Sequence, residues 1–127
     1  MQLDYIENVN AYGDNIVRLY DFDKSQAEKF RQAIQQTIVK NKKQLDLSTL
    51  DYILPRNCHL TLRISDTDEG MITTDDINFF CDLTFEGYEK MLVLLEPFCK
   101  KETKGYQWLY DDIDTQIDFL FSPGGTW

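Results

Sequence analysis

The sequence predicts a single α+β domain, a two-layer sandwich in which two helices pack on one face of a mostly antiparallel sheet. Two segments repeat apolar residues at helical spacing, and several short segments alternate apolar and polar residues as half-buried strands do. No repeat, low-complexity tract or flexible linker divides the chain, so one domain is expected over residues 1–127. The expected order of elements is β-α-β-β-β-α-β-β.

A strand and a helix are the first regular elements. Residues 1–14 have no clear pattern, so they either stay loose or add an edge strand. Residues 15–22 are rich in β-branched and aromatic side chains, which predicts a central strand. Asp23 can cap a helix over about residues 24–41, with Ser25 and Glu28 as an alternative capping box, because apolar residues then recur at helical spacing. These apolar residues are Ala27, Phe30, Ile34 and Ile38. The lysines that complement the negative end of this helix are Lys40, Lys42 and Lys43.

The middle of the chain predicts a β-hairpin. Residues 45–54 form a short strand or an irregular connection that ends at Pro55. Residues 58–65 and 76–83 then alternate apolar and polar side chains, which is typical of strands with one face on the core. The acidic segment 66–76 between them is expected to be the hairpin loop.

The hairpin register decides which side chains meet on its outer face. A hairpin centred in the acidic loop sets His59 opposite Asp82, with Arg63 on the same face, and these three residues form an alternative candidate site. A slip of two residues instead sets Cys58 opposite Cys81. Neighbouring side chains on a strand point to opposite faces, so Cys58 and His59 do not form a catalytic dyad.

Thr84 can cap a second helix, which is predicted to be interrupted near Pro97. Its apolar stripe should lie on the sheet and contains Phe85, Tyr88, Met91, Leu92 and Leu95. Residues 106–110 and 115–121 are predicted to be extended, and residues 122–125 to form a closing turn.

Acidity is concentrated in the second half of the chain. The chain has 22 acidic and 13 basic residues, a net charge of −9; residues 1–65 carry +1 and residues 66–127 carry −10. This balance argues against a protein that binds nucleic acid by neutralising phosphates. It favours a basic protein as the partner.

Several other classes of protein are not expected. The longest apolar run, Met91 to Leu95, is far too short to span a membrane, and a signal peptide is not recognised, so the cytoplasm is the expected location. No cofactor motif is present. Cys58, Cys81 and Cys99 have no metal or redox spacing and are expected to be free thiols.

Two acidic clusters have a composition that could suit a metal ion. Gly70 is fifth after Asp66, whereas the calcium-binding loop needs glycine in sixth position and an acid in twelfth, so an acidic turn is preferred there. Asp112 and Asp114 could hold Mg²⁺ for phosphoryl chemistry, but no phosphate-binding loop accompanies them. No metal site is predicted.

The aromatic residues Tyr106, Trp108 and Tyr110 fall on one face of the extended segment 106–110. They either pack in the core or anchor a protein partner, because tyrosine and tryptophan are enriched at interface hot spots.

Four short motifs resemble a small family of uncharacterised bacterial single-domain proteins. They are V-R-L-Y-D-F-D at 17–23, F-x-C-x-L at 79–83, Y-Q-W-L at 106–109 and S-P-x-G-x-W at 122–127. The resemblance implies a small bacterial domain without a known activity.

The leading functional hypothesis is a non-enzymatic interaction module, an inhibitor, immunity-type or adaptor protein, whose acidic second half binds a basic partner. The candidate binding residues are Asp66, Asp68, Glu69, Asp111, Asp112, Asp114 and Trp108. The alternatives are a small enzyme that uses acidic residues with a divalent metal on a small or phosphorylated substrate, and an accessory subunit whose aromatic residues are covered in an oligomer.

Overall fold

Two mixed β-sheets and two helices build the fold, in a computed structural model that describes residues 1–127. The strands are β1 (Gln2–Ile6), β2 (Asn15–Tyr20), β3 (Leu45–Asp46), β4 (Leu54–Pro55), β5 (His59–Ile64), β6 (Gly70–Thr73), β7 (Asn78–Leu83), β8 (Gln107–Trp108) and β9 (Ile117–Ser122), and the helices are α1 (Lys24–Ile34) and α2 (Phe85–Lys100). The first sheet has the order β4-β1-β2-β9-β8 and the second has the order β3-β5-β7-β6.

The predicted α+β class is confirmed, but the structure has two mixed sheets instead of one mostly antiparallel sheet. Three pairs of neighbouring strands are parallel: β1 with β4, β2 with β9, and β5 with β7. Strand β1 lies between β2 and β4, so Gln2–Ile6 is neither loose nor at the sheet edge, while residues 7–14 form the connection to β2. The central position predicted for β2 is confirmed.

The predicted hairpin is wrong, because β5 and β7 are parallel. The short strand β6 lies between them in sequence and pairs antiparallel with β7, so the chain reverses direction once more than predicted. Thr61 lies opposite Phe80, as it would also do in the predicted hairpin. Because the two strands are parallel, however, the residues on either side of this pair have different partners from those in a hairpin. His59 therefore faces Asn78 instead of Asp82.

The alternative register is also wrong, because Leu62, and not Cys58, lies opposite Cys81. Alternation fixes which face a side chain occupies, and Leu60 and Phe79 are buried as predicted. Strand direction depends instead on the path of the connecting chain.

Helix α1 begins with a capping box, in which the Asp23 carboxylate accepts the Gln26 backbone N–H and the Gln26 side chain accepts the Asp23 N–H. The helix continues as a π-helical segment over Gln35–Lys40. The Lys42 ammonium donates to the Val39 carbonyl at 2.8 Å, as expected for a base at the negative end of the dipole.

Helix α2 begins where predicted, since the Thr84 hydroxyl accepts the Gly87 N–H. The predicted interruption near Pro97 is wrong: the helix continues to Lys100. The last turn is retained because Phe98 is buried in the core. The Arg31 guanidinium also donates to the Leu92 carbonyl at 2.9 Å, which ties α2 to α1.

One apolar core joins both sheets to both helices. The rings of Tyr5 and Phe79 lie 4.6 Å apart between centroids and connect the two sheets. Phe121 connects the first sheet to the helices, with its ring centroid 5.8 Å from that of Phe30 in α1 and 5.2 Å from that of Phe98 in α2.

The packing of α2 predicts that substitutions at two neighbouring residues, Leu92 and Val93, differ sharply in their effect on stability. Leu92→Ala should lower the free energy of unfolding by about 2 to 5 kcal/mol, because it removes a buried side chain, and so should Leu62→Ala in β5. Val93→Ala is the matched control. Because Val93 is 64% exposed, this substitution should change the free energy of unfolding by less than about 0.5 kcal/mol. Urea denaturation measures all three; a similar loss for Leu92 and Val93 would contradict the packing.

The three cysteines are free thiols of unequal accessibility. Burial raises the pKa of Cys58 to about 12, and Cys81 is buried at 0% exposure. Cys99 is only partly buried. A chromogenic disulfide reagent should therefore titrate one thiol rapidly in the native protein and three after denaturation. Recovery of one thiol after denaturation would demonstrate a disulfide.

Candidate functional site

An apolar cleft of about 340 Å³ opens between α2 and the segment that follows β8. Six of its ten lining residues are hydrophobic, and the other side chains are two carboxylates, one lysine and one glycine. The lining residues are Asp68, Leu83, Gly87, Lys90, Val93, Leu94, Leu109, Tyr110, Asp111 and Ile113. The cleft is therefore an apolar depression whose charged residues are two acids, Asp68 and Asp111, and one lysine, Lys90.

Tyr110 fixes the wall of the cleft opposite α2. Its hydroxyl accepts the Met71 backbone N–H at 3.1 Å and donates to the Ile117 carbonyl, so it links the edge strand β6 to β9. Burial raises the pKa of Tyr110 above its usual range, which keeps the hydroxyl protonated as a donor. Gly70 permits this approach, because its φ is +76° and a Cβ there would lie 3.1 Å from the Tyr110 ring.

Asp68 brings the first acidic segment to the start of α2. Its carboxylate accepts the Thr84 N–H at 2.8 Å and the Thr84 hydroxyl at 2.9 Å. Gly87 leaves room for it, because a Cβ at this position would lie 2.8 Å from the same carboxylate oxygen. Asp68 therefore stabilises the helix N-terminus and still stands on the rim of the cleft.

The two acidic segments carry nine carboxylates, and none of them forms an ion pair within the chain. They are Asp66, Asp68, Glu69, Asp75, Asp76, Asp111, Asp112, Asp114 and Asp118. All except Asp118 are exposed. The structure brings Asp68 and Asp111 together at the cleft, whereas Asp75 and Asp76 lie beyond the other end of β6.

Asp75 and Asp118 show how differently these carboxylates are held. Backbone and side-chain N–H groups of Asn78, with the Ile77 N–H, lower the pKa of Asp75 to about 2. Partial burial raises the pKa of Asp118, and the negative charge of Asp14 adds to this effect. The carboxylate of Asp75 thus serves its own turn and that of Asp68 caps α2, whereas the Asp111 carboxylate accepts no hydrogen bond within the chain.

The alternative candidate site does not assemble as expected. Arg63 and Asp82 do form a bidentate pair, with N···O distances of 2.7 and 2.8 Å, and Arg63 stacks 4.0 Å from the centroid of Phe80. The hydrogen bond to Asp82 raises the pKa of Arg63. His59 stands apart, exposed and opposite Asn78, so the expected His59 and Asp82 pair is absent.

The aromatic ladder is divided between surface and core. Tyr110 is buried at 8% exposure, whereas Tyr106 is 49% exposed. Trp108 is half-buried, contacts Tyr106 edge-on with 5.9 Å between ring centroids, and pairs with Leu120 in β9. Because β8 contains only two residues, the three side chains do not share a strand face, and Trp108 does not line the cleft.

Asp112 and Asp114 are not grouped with further metal ligands. Asp112 and Asp114 are exposed in the loop before β9, and no three His, Cys, Asp or Glu side chains of the chain are grouped as ligands for a metal ion.

The acids of the site were predictable from the sequence, but its apolar walls and Lys90 were not. The walls come from β7, α2 and the loop after β8, and they are Leu83, Val93, Leu94, Leu109 and Ile113. The position of Val93 on the outer face of α2 follows from the helical spacing of its neighbours, but a single exposed apolar residue does not indicate a cleft.

Comparisons with family models, with curated proteins and with solved structures give no significant match. Neither helix has the length and apolar composition of a transmembrane span.

The Tyr110 hydroxyl predicts a measurable effect on stability. Tyr110→Phe should lower the free energy of unfolding by about 1 to 3 kcal/mol, because the buried Met71 N–H loses its acceptor. Tyr106→Phe is the matched control and should have an effect below about 0.5 kcal/mol, since Tyr106 is exposed. Equal effects in urea denaturation would contradict the link between β6 and β9.

Proposed function

We propose that this protein is a non-enzymatic interaction module, with an inhibitor, immunity-type or adaptor role, that binds a basic protein partner at the acidic cleft. The observation that carries the proposal is the meeting of Asp68 and Asp111, from two separate acidic segments, on the rim of an apolar depression. A carboxylate rim around an apolar floor is complementary to an apolar side chain flanked by lysine or arginine.

The charges of the cleft are available to a partner. The nine carboxylates of the two segments have no intrachain cation, so a basic partner would not have to displace an existing ion pair. Their summed potential would speed the encounter with a basic surface and would reject acidic ones.

In this proposal, apolar contacts in the cleft supply the binding free energy that exposed ion pairs cannot. Exposed ion pairs are worth little in water, whereas an apolar anchor that fills a cleft is a typical hot spot. Leu94, Leu109 and Ile113 would contact such an anchor. The fitting partner segment therefore combines one large apolar side chain with basic neighbours.

Synthetic peptides test this proposal. A labelled Lys-Lys-Leu-Trp-Lys-Lys peptide should bind, as measured by fluorescence anisotropy, and its affinity should fall as salt is added because exposed charges are screened. Replacement of Leu-Trp by Ser-Gly, or of the lysines by glutamates, should weaken binding at least about tenfold.

Charge-matched variants locate the site. The triple variant Asp111→Asn, Asp112→Asn, Asp114→Asn should bind the basic peptide at least about tenfold more weakly than the native protein. The control Glu7→Gln, Glu28→Gln, Asp51→Asn removes the same number of exposed acids elsewhere and should retain affinity. Equal losses in both variants, or no binding of the basic peptide, would overturn the proposal.

A further inference from the structure

We propose that the cleft binds the C-terminal residue of its basic partner, and that the ammonium group of Lys90 binds the free carboxylate of that residue. The inference rests on the proposed function, because it names the part of the partner that enters the same site. The observation that carries it is a lysine without an ion pair in a cleft whose other charged residues are Asp68 and Asp111.

Lys90 stands on the wall of the cleft that α2 provides. Gly87, Lys90 and Leu94 line the cleft at intervals of three and four residues, so they lie on one face of the helix. Lys90 is about 4.5 Å along the helix axis from Gly87 and about 6 Å from Leu94. Because Asp68 lies against Gly87, the lysine stands between a carboxylate and the apolar part of the cleft.

The charge of Lys90 is not neutralised within the chain. The side chain is exposed, and it forms no ion pair with Glu86, one helical turn before it, or with either acid of the cleft. A partner that is basic throughout would be repelled by this ammonium group. Lys90 therefore opposes the proposed binding unless the partner brings one negative group to it.

Every polypeptide has one such group, however basic its sequence, and this group is the carboxylate at its C-terminus. Capture of a terminal carboxylate is a recurring mode of peptide recognition. A terminal apolar residue carries its carboxylate and its side chain on the same Cα atom. With the carboxylate at Lys90, the side chain would contact Leu94 on α2 and Leu109 and Ile113 on the opposite wall. The basic residues that precede it are then left to the carboxylates of the cleft.

Two peptides that differ only at the C-terminus test the proposal by fluorescence anisotropy at about 0.1 M salt. Lys-Lys-Lys-Lys-Leu-Trp, labelled at its N-terminus, is compared as the free acid and as the C-terminal amide. The amide carries one more net positive charge, so the overall negative charge of the protein alone would favour the amide. Because Lys90 binds the carboxylate, the free acid should instead bind at least about tenfold more tightly.

The variant Lys90→Gln locates the group that binds the carboxylate. It should lose the preference for the free acid and should bind the amide at least as tightly as the native protein does, because a positive charge has been removed from the site. The control Lys104→Gln makes the same charge change at an exposed position after α2 and should keep the native preference. Binding of the amide shows at the same time that the Lys90 variant is folded.

The inference and the proposed function fail in different ways. If both peptides bind to the native protein and the amide binds as tightly as the free acid or more tightly, the inference is overturned and the basic partner is retained. A preference for the free acid that persists in Lys90→Gln also overturns the inference. If neither peptide binds, the proposed function is overturned as well.

Discussion

Contact between the ring of Phe121 and the two helices determines where everything else in this fold can lie. Phe121 belongs to β9, and its centroid is 5.8 Å from Phe30 of α1 and 5.2 Å from Phe98 of α2. Each sheet has an apolar face that must be covered, and both sheets share one core with the helices. The cleft follows from this arrangement. Once Phe98 holds α2 over β9, the loop between β8 and β9 passes beside α2 and leaves an apolar depression.

The helices could be predicted from sequence because their signals are local. Capping residues and a spacing of three to four residues lie within one segment, and they located Asp23 and Thr84 correctly. Strand faces were also predictable from alternation. The direction of β5 relative to β7 was not, since it depends on β6, a strand of four residues in an acidic segment that shows no clear strand pattern. The same holds for the candidate site. Its acids could be predicted from the charge pattern of the sequence, but its apolar walls could not, because they come from segments that only the tertiary fold brings together.

Each sheet has on its outer face an arginine held in the same manner. Arg18 forms a bidentate pair with Asp4 across β1 and β2 and stacks 3.9 Å from the centroid of Tyr20. Arg63 does the same with Asp82 across β5 and β7, over Phe80. A planar guanidinium with both a carboxylate and a ring in contact has few alternative positions. These pairs therefore favour one register in sheets whose short strands contribute few ladder hydrogen bonds.

The position of β9 in the first sheet affects how the chain is made in the cell. Asn15 of β2 pairs with Ile117, about 100 residues later, and β9 provides the central ring of the core. At a synthesis rate of roughly 5 to 20 residues per second, β2 waits about 5 to 20 s for this neighbour. During that time the apolar face of β2 and the stripe of α1 have no complete core in which to be buried. Folding on the ribosome is therefore completed only after residue 122 has emerged, and until then the nascent chain exposes apolar surface that the folded protein buries.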